Sequence, residues 1–363
     1  MYPIEIKSNQ PSNVLEIRWD PNNTCNYSCR YCFPGANAGT YRTPEDTDLL
    51  VTNFRHLFNQ YADQLDKTQF LLTIGGGEPT LWKNFGNFLL KIKEQHNVYA
   101  TVISNGSRTL RWWKEYASYI DNAVLSFHVE QADLDHHVSV ADILYEQGKK
   151  VTVGVLMDPN CWDKCVDAIE YMKQHSKYPW FIEAKPVVST SIISISYTEN
   201  QIEYLKTEIK RMPNFLWFVK NIKLLIKGVV KRYKSVATMD DGSKMFAKSS
   251  TYVTNKYTNF KSWDCNIGVE SVYVNWEGNI TGSCGQTLFN LDAPFNILNA
   301  NFTTQFNPQL VSTTCQMSAC NCLPETHVSK VVKFSLVNGM SAAQVQKLRS
   351  HVTGLLGATK LPS

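Results

Sequence analysis

No stretch of the 363-residue sequence approaches the roughly 18 uninterrupted apolar residues that a membrane helix needs. The N-terminus, Met1-Tyr2-Pro3-Ile4-Glu5, lacks a basic region followed by an apolar run. No secretory signal is therefore read, and the cytoplasm is the expected location, with no membrane as partner. Charge is sparse: 19% of residues are charged and the net charge is +4, too slight a bias to indicate a class of partner. The aromatic residues, 12% of the chain, do not interleave with basic ones as an RNA-binding signature would, so nucleic acid is not expected as a partner. Internal repeats and low-complexity tracts are also missing. Against these absences, 43% hydrophobic residues leave ample material for a buried core in one large domain or two ordinary ones.

What the chain does have is cysteine, ten in all. In a reducing compartment such residues are not expected as structural disulfides, and their clustering points to metal or redox chemistry. Cys25, Cys29 and Cys32 fall together, as do Cys315, Cys320 and Cys322, with Cys265 and Cys284 between.

The first half alternates strand-like and helix-like segments. Strands are read at 14–19, 69–74, 98–103, 122–127, 150–157 and 180–185, with helical patterns at 47–61, 84–94, 110–119, 138–147 and 162–173. Six such units predict an α/β fold with a parallel sheet, open or closed into a barrel. In either form ligands bind at the C-terminal strand ends. The cysteines at 25–32, Gly75-Gly76-Gly77 and Ser104-Asn105-Gly106 all follow strand ends and are expected on one face. Beyond residue 188 the rhythm breaks: 200–211 and 216–234 read as helical, and 238–261 as polar and loop-like. Residues 271–281 read as a β-hairpin turning at Glu277-Gly278-Asn279. Charge also concentrates here, with 13 Lys/Arg against 5 Asp/Glu between Ile195 and Ser262.

Cys25-x3-Cys29-x2-Cys32 places three thiols on one loop with no fourth cysteine nearby. Thiolate softness suits iron–sulfur or zinc, and from spacing alone a zinc knuckle completed by a distant Cys or His stays open. Three cysteines on a four-iron cluster would leave one iron for a non-protein ligand.

The run Cys25-x3-Cys29-Arg30-Tyr31-Cys32, directly after the first of these strands, resembles the signature of the radical S-adenosylmethionine (SAM) superfamily. Gly76-Gly77-Glu78-Pro79 resembles that family's segment for the methionyl amino group, and Ser104-Asn105-Gly106 its Thr-Asn-Gly element. Ser126, ahead of Phe127-His128, resembles a serine that contacts SAM there. The resemblance covers about residues 14–188. It implies a partial (β/α)6 TIM-like barrel, a 4Fe–4S cluster held by Cys25, Cys29 and Cys32, and SAM as cofactor. It also implies Tyr31 near the adenine, and a flavodoxin or ferredoxin as electron donor. His128 and Lys185, at strand ends facing the same mouth, are candidates for substrate contact or proton handling.

Cys265, Cys284, Cys315, Cys320 and Cys322 surround the hairpin and resemble the family's SPASM and twitch extensions. They imply an auxiliary 4Fe–4S cluster with one cysteine spare, although a zinc site fits the same residues. The expected division is 1–190 for the partial barrel, 191–262 for a basic helical insert and 263–363 for a smaller, cysteine-rich domain with the hairpin. Cys161 and Cys165 open a helix, where a thiol's pKa can fall, yet ordinary thiols are the simpler reading. Lys220, Lys223, Lys227, Lys231 and Lys234 form a basic stripe that most simply is a solvated face.

Only 24 residues precede Cys25, too few for a winged-helix peptide-recognition domain, which favours a small-molecule substrate or a leaderless peptide. The expected activity is radical hydrogen abstraction leading to oxidation, epimerisation or rearrangement. A protein-modifying maturase of the sulfatase-maturing type is the near alternative. A tRNA-modifying enzyme lacks its RNA module here. A non-catalytic zinc protein binding an acidic partner is the reading of another class.

Overall fold

The computed structural model describes residues 2–40, 46–94, 97–187, 194–210, 235–247, 252, 255–318, 320 and 326–332, with no side chains described at 206–210. The strands that run in sequence are β1 (Pro3–Ser8), β2 (Val14–Trp19), β3 (Gln69–Ile74), β4 (Val98–Ser104), β5 (Asn122–Phe127), β6 (Lys150–Met157) and β7 (Phe181–Pro186). Between β2 and β7 run the helices α1 (Thr47–Leu65), α2 (Phe85–Ile92), α3 (Leu110–Tyr116), α4 (Leu134–Glu146) and α5 (Trp162–His175), and α6 (Glu199–Lys210) follows β7. Strands β2 to β7 pair in parallel, each with the next. This is the α/β partial barrel that the sequence predicts.

The six strands alternate for a physical reason. A parallel sheet covered on both faces reads as continuous apolar runs. Here Ile17, Trp19, Leu72, Ile74, Ala100 and Val102 are buried beneath the helices, while Arg18, Thr73 and Thr101 on the other face are only half-buried. That second face lines the open interior. Helix α1 starts where the Asp46 carboxylate accepts from the Leu49 amide at 2.9 Å and stops at Asp66, whose φ is 52°. Its Leu50, Phe54, Leu57, Phe58 and Tyr61, three or four residues apart, are buried. The Trp19 ring lies 5.0 Å from Phe54 and 4.9 Å from Phe88, and each such side chain contributes about 1.5–3 kcal/mol by burial.

The later strands are β8 (Ser235–Met239), β9 (Lys244–Ala247), β10 (Trp263–Cys265), β11 (Ser271–Val274), β12 (Ile280–Thr281), β13 (Thr313–Thr314) and β14 (Lys330–Val332). The expected hairpin is β11–β12, and it extends the barrel sheet: β11 pairs in parallel with β2, giving the order β12-β11-β2-β3-β4-β5-β6-β7. A second sheet runs β13-β10-β14-β1-β8-β9, antiparallel throughout. Residues 235–247 correct one expectation. Much of that stretch falls in the segment read as loop, yet it forms β8 and β9. β8 gains strand structure from β1, more than 220 residues away, and β9 pairs back onto β8. The predicted helix at 216–234, with the lysine stripe, lies outside the described residues. No described helix is long and apolar enough to cross a membrane.

Candidate functional site

The cysteine loop leaves β2 and is held by its own polar side chains. The Thr24 amide donates to Asn22 Oδ1 at 3.0 Å, and Asn23 Nδ2 donates to the Gly35 carbonyl at 3.0 Å. The turn after β3 then sits directly on this loop. The Gly77 amide donates to the Asn22 carbonyl at 3.0 Å and the Glu78 amide to the Thr24 carbonyl at 2.7 Å. Gly76 has φ +94°, a conformation that costs glycine little. Glycine is required here because backbone packs on backbone.

A cavity of about 240 Å³ opens at the C-terminal ends of the strands. It brings together Cys25, Cys29, Cys32, Tyr31, Gly76, Gly77, Ser104, Asn105, Ser126 and His128. Glu78 and Pro79 lie behind it. Pro79 begins a short 3-10 turn, and the Glu78 carboxylate faces inward, fully buried. Its Oε1 accepts from the Thr80 amide (3.0 Å), Thr80 Oγ1 (2.6 Å) and Ser104 Oγ (2.8 Å), and its Oε2 from the Asn105 amide (2.6 Å). Burial raises its pKa while these donors oppose the rise. Glu78 thus ties the ends of β3 and β4 together. Asn105, held in this way, reaches back with Nδ2 to Asn26 Oδ1 at 2.9 Å and Cys25 Sγ at 3.7 Å.

His128 Nδ1 lies 3.3 Å from Cys29 Sγ and 3.0 Å from Tyr31 Oη, with its ring stacked 5.8 Å from that of Tyr31. Burial, with the Lys185 ammonium adding to it, pushes His128 down to about 4, so the ring is neutral near pH 7. Lys185 is not part of the cavity wall; its stem passes Gly154 on the same sheet face as Ser126. One contact had no sequence signal: Arg30, inside the cysteine motif, forms a two-pronged pair with the fully buried Asp158 carboxylate after β6. It fastens the motif to the far side of the barrel. Burial pushes the thiols up, Cys29 to about 12, so binding a metal there must displace protons.

Four of the five later cysteines, Cys265, Cys284, Cys315 and Cys320, converge on a second, smaller pocket with Phe260 and Lys330. Cys322 lies outside the described residues. The simpler reading of Cys161 and Cys165, as ordinary thiols, is the one the structure favours. Burial pushes Cys165 up to about 11, and burial and the Glu130 carboxylate raise Cys161. Cys165 Sγ donates to the Leu156 carbonyl at 3.3 Å, as an ordinary buried thiol does.

Behind the Ser104-Asn105-Gly106 turn lies His137, fully buried against Phe127, its Nε2 without a partner among the described residues. Burial, with His128 and His136 adding to it, pushes it down to about 3. The native ring stays neutral while the unfolded chain binds a proton below about pH 6.5. Stability from this residue is therefore present above that value and lost as pH falls toward 3. At pH 5 the loss is about 2 kcal/mol. His137→Leu is expected to unfold at nearly the same urea concentration at pH 7.5 and 5, beyond the drift due to other groups. An unchanged pH dependence in the variant would refute this.

Residues 19–177 match a family model described as the Radical SAM superfamily. Among curated proteins, the chain is 26% identical over 129 residues to an S-adenosylmethionine-dependent nucleotide dehydratase from Fibrobacter sp. (strain UWH6), covering 35% of this chain and 36% of that protein. It is 28% identical over 102 residues to a GTPase Obg from Brachyspira hyodysenteriae (strain ATCC 49526 / WA1), covering 28% of this chain and 15% of that protein. The matches thus span about a third of one curated relative and less than a sixth of the other. Among solved structures, Streptococcus suis SuiB bound to S-adenosylmethionine aligns with a TM-score of 0.47 at 15% identity, covering 84% of this chain and 68% of that one. Residues 19–177 are therefore a radical SAM domain.

Proposed function

We propose that the chain cleaves SAM at a 4Fe–4S cluster and uses the resulting radical to take hydrogen from a small molecule or peptide. A second 4Fe–4S cluster is assigned to the C-terminal cysteines. The observation that carries this reading is the convergence of Cys25, Cys29 and Cys32 on one cavity with Gly76, Gly77, Ser104, Asn105 and Ser126. The donor set fits: three soft thiols, and no fourth cysteine among the described wall residues. When bound, the cluster and SAM supply one-electron cleavage of a carbon–sulfur bond.

The chain's own residues bind and orient. Cys25, Cys29 and Cys32 hold the cluster. Gly76 and Gly77 present backbone to the methionyl group, Ser104, Asn105 and Ser126 offer polar contacts, and Tyr31 offers its ring to the adenine. Glu78 and Arg30 act as positioning residues for these groups, and neutral His128 orients Tyr31. Lys185 places an ammonium on the inner sheet face, where it can meet substrate. Residues 1–190 supply this site, 191–262 the basic insert, and 263–363 the second cluster site, which suits either electron acceptance or substrate holding. The electron donor is of flavodoxin or ferredoxin type. The SAM dependence named for the Fibrobacter relative supports SAM as cofactor.

Anaerobic reconstitution is expected to give roughly eight irons per chain, and reductant with SAM should release 5′-deoxyadenosine. Cys29→Ala should abolish that release. Zinc in place of iron, with no cleavage, would overturn the reading and favour a metal-binding interaction protein.

A further inference from the structure

His128 follows β5, and its backbone is pinned where the chain turns: its carbonyl accepts from the Gln131 and Ala132 amides at 2.9 and 2.8 Å. Two tyrosines of the cysteine loop grip its ring. Tyr31 stacks on it at 5.8 Å and 17°, and Tyr27 meets it edge-on at 5.9 Å and 83°. Together these contacts direct one nitrogen, Nδ1, at the loop, 3.3 Å from Cys29 Sγ and 3.0 Å from Tyr31 Oη. A free thiol can supply the hydrogen of the first contact. A thiolate bound to iron has none and can only accept. Two lone pairs would then face each other across 3.3 Å unless Nδ1 carries the hydrogen. Metal binding at Cys29 therefore selects the imidazole form with its hydrogen on Nδ1, and Tyr31 Oη is near enough to share it as a second acceptor.

We propose that His128 Nδ1 donates a hydrogen bond to the Cys29 thiolate of the first cluster and raises that cluster's reduction potential. The proposal rests on the first-cluster reading above. The hydrogen stays on the ring throughout, so no proton is transferred. One electron taken from an external reductant adds a negative charge that iron and sulfur share. A donor aimed at one of these sulfurs stabilises the more negative state by more than the less negative one. The potential is therefore higher than it would be with an apolar side chain at this position. His128 acts through Cys29 in this role, as a positioning residue, and not on the substrate.

The test uses the full chain, anaerobically reconstituted and titrated with titanium citrate under EPR detection. The signal that vanishes in Cys29→Ala identifies the first cluster. Wild type is compared with His128→Leu, which has no donor, and with His128→Asn. The amide nitrogen of Asn is bonded to Cγ, as Nδ1 is, and keeps the N–H. The Leu variant is expected to reduce the first cluster at a more negative potential than wild type. The Asn variant should stay close to the wild-type value. A loaded Leu variant at wild-type potential would overturn the proposal, and so would an Asn variant shifted as far as Leu. Should Leu fail to hold the first cluster, Asn decides. A loaded Asn variant at wild-type potential supports the hydrogen-bond role, and any other result in Asn makes His128 a packing residue and overturns it. These outcomes leave the first-cluster reading intact. Wild-type protein with no signal that depends on Cys29 would overturn that reading itself, and this proposal with it.

Discussion

Gly77→Ala is expected to lose both the first cluster and thermal stability, although it adds one methyl group. A Cβ at this position would lie 2.3 Å from the Thr24 carbonyl oxygen and 2.8 Å from the carbonyl carbon and amide nitrogen of the same residue. These are backbone atoms, so no side chain can swing aside to make room. The two segments are also bonded to each other, through the Gly77 amide to Asn22 and the Glu78 amide to Thr24. Relief must come from moving the loop, and Thr24 immediately precedes Cys25. Overpacking of this kind costs roughly 1–3 kcal/mol, and a rigid neighbour places this variant at the upper end. A Tm lower by several degrees follows. Reconstituted protein should hold roughly four irons in place of eight, because the second pocket shares no lining residue with the first. Gly154→Ala is the control. There the nearest neighbour to a new Cβ is Lys185 Cδ at 3.5 Å, an ordinary contact. Within a strand that substitution should be neutral or stabilise by about 0.5–1 kcal/mol. Wild-type iron and Tm in Gly77→Ala would remove the argument that glycine is needed here for backbone contact.

The same turn shows what sequence carries and what it does not. The strands β2 to β7 were legible because one face of each is buried by helices and the other is half-open, and that contrast writes an alternation into five or six consecutive residues. The hairpin turn was legible because Gly278 adopts φ +86° and the Asn275 side chain accepts from the Glu277 and Asn279 amides, all within five residues. The second sheet was not. β1 finds its partners at 235–239 and 330–332, and no local pattern encodes a pairing over that separation. The site divides the same way. Cys25, Cys29 and Cys32 form a compact motif, whereas the Arg30–Asp158 pair joins residues 128 apart. Nothing in the run Val328-Ser329-Lys330-Val331-Val332 points to a cysteine until register sets Lys330 against Cys265. Gly-Gly-Glu-Pro drew attention to the right turn, but its glutamate faces the protein.

That orientation sets the remaining large effect. Glu78→Ala is expected to destabilise the chain by on the order of 4 kcal/mol and to weaken SAM binding by tenfold or more. The buried carboxylate serves two hydroxyls and two backbone amides. The hydroxyls of Thr80 and Ser104 can turn toward other acceptors, but the amides of Thr80 and Asn105 cannot. Each buried amide left unpaired costs about 1–3 kcal/mol, and the space left by the side chain adds to this. Glu78→Gln is milder yet not neutral, because either orientation of the amide points an NH2 group at a donor. The effect on SAM follows from Asn105, which loses the bond that holds its backbone and so its reach toward Asn26 and Cys25. Urea denaturation and SAM titration of the reconstituted protein should therefore move together, with Gln between wild type and Ala in both. A Glu78→Ala variant of near wild-type stability that has lost SAM binding would mean that the carboxylate meets the ligand directly. Its inward hydrogen bonds would then not be its main role.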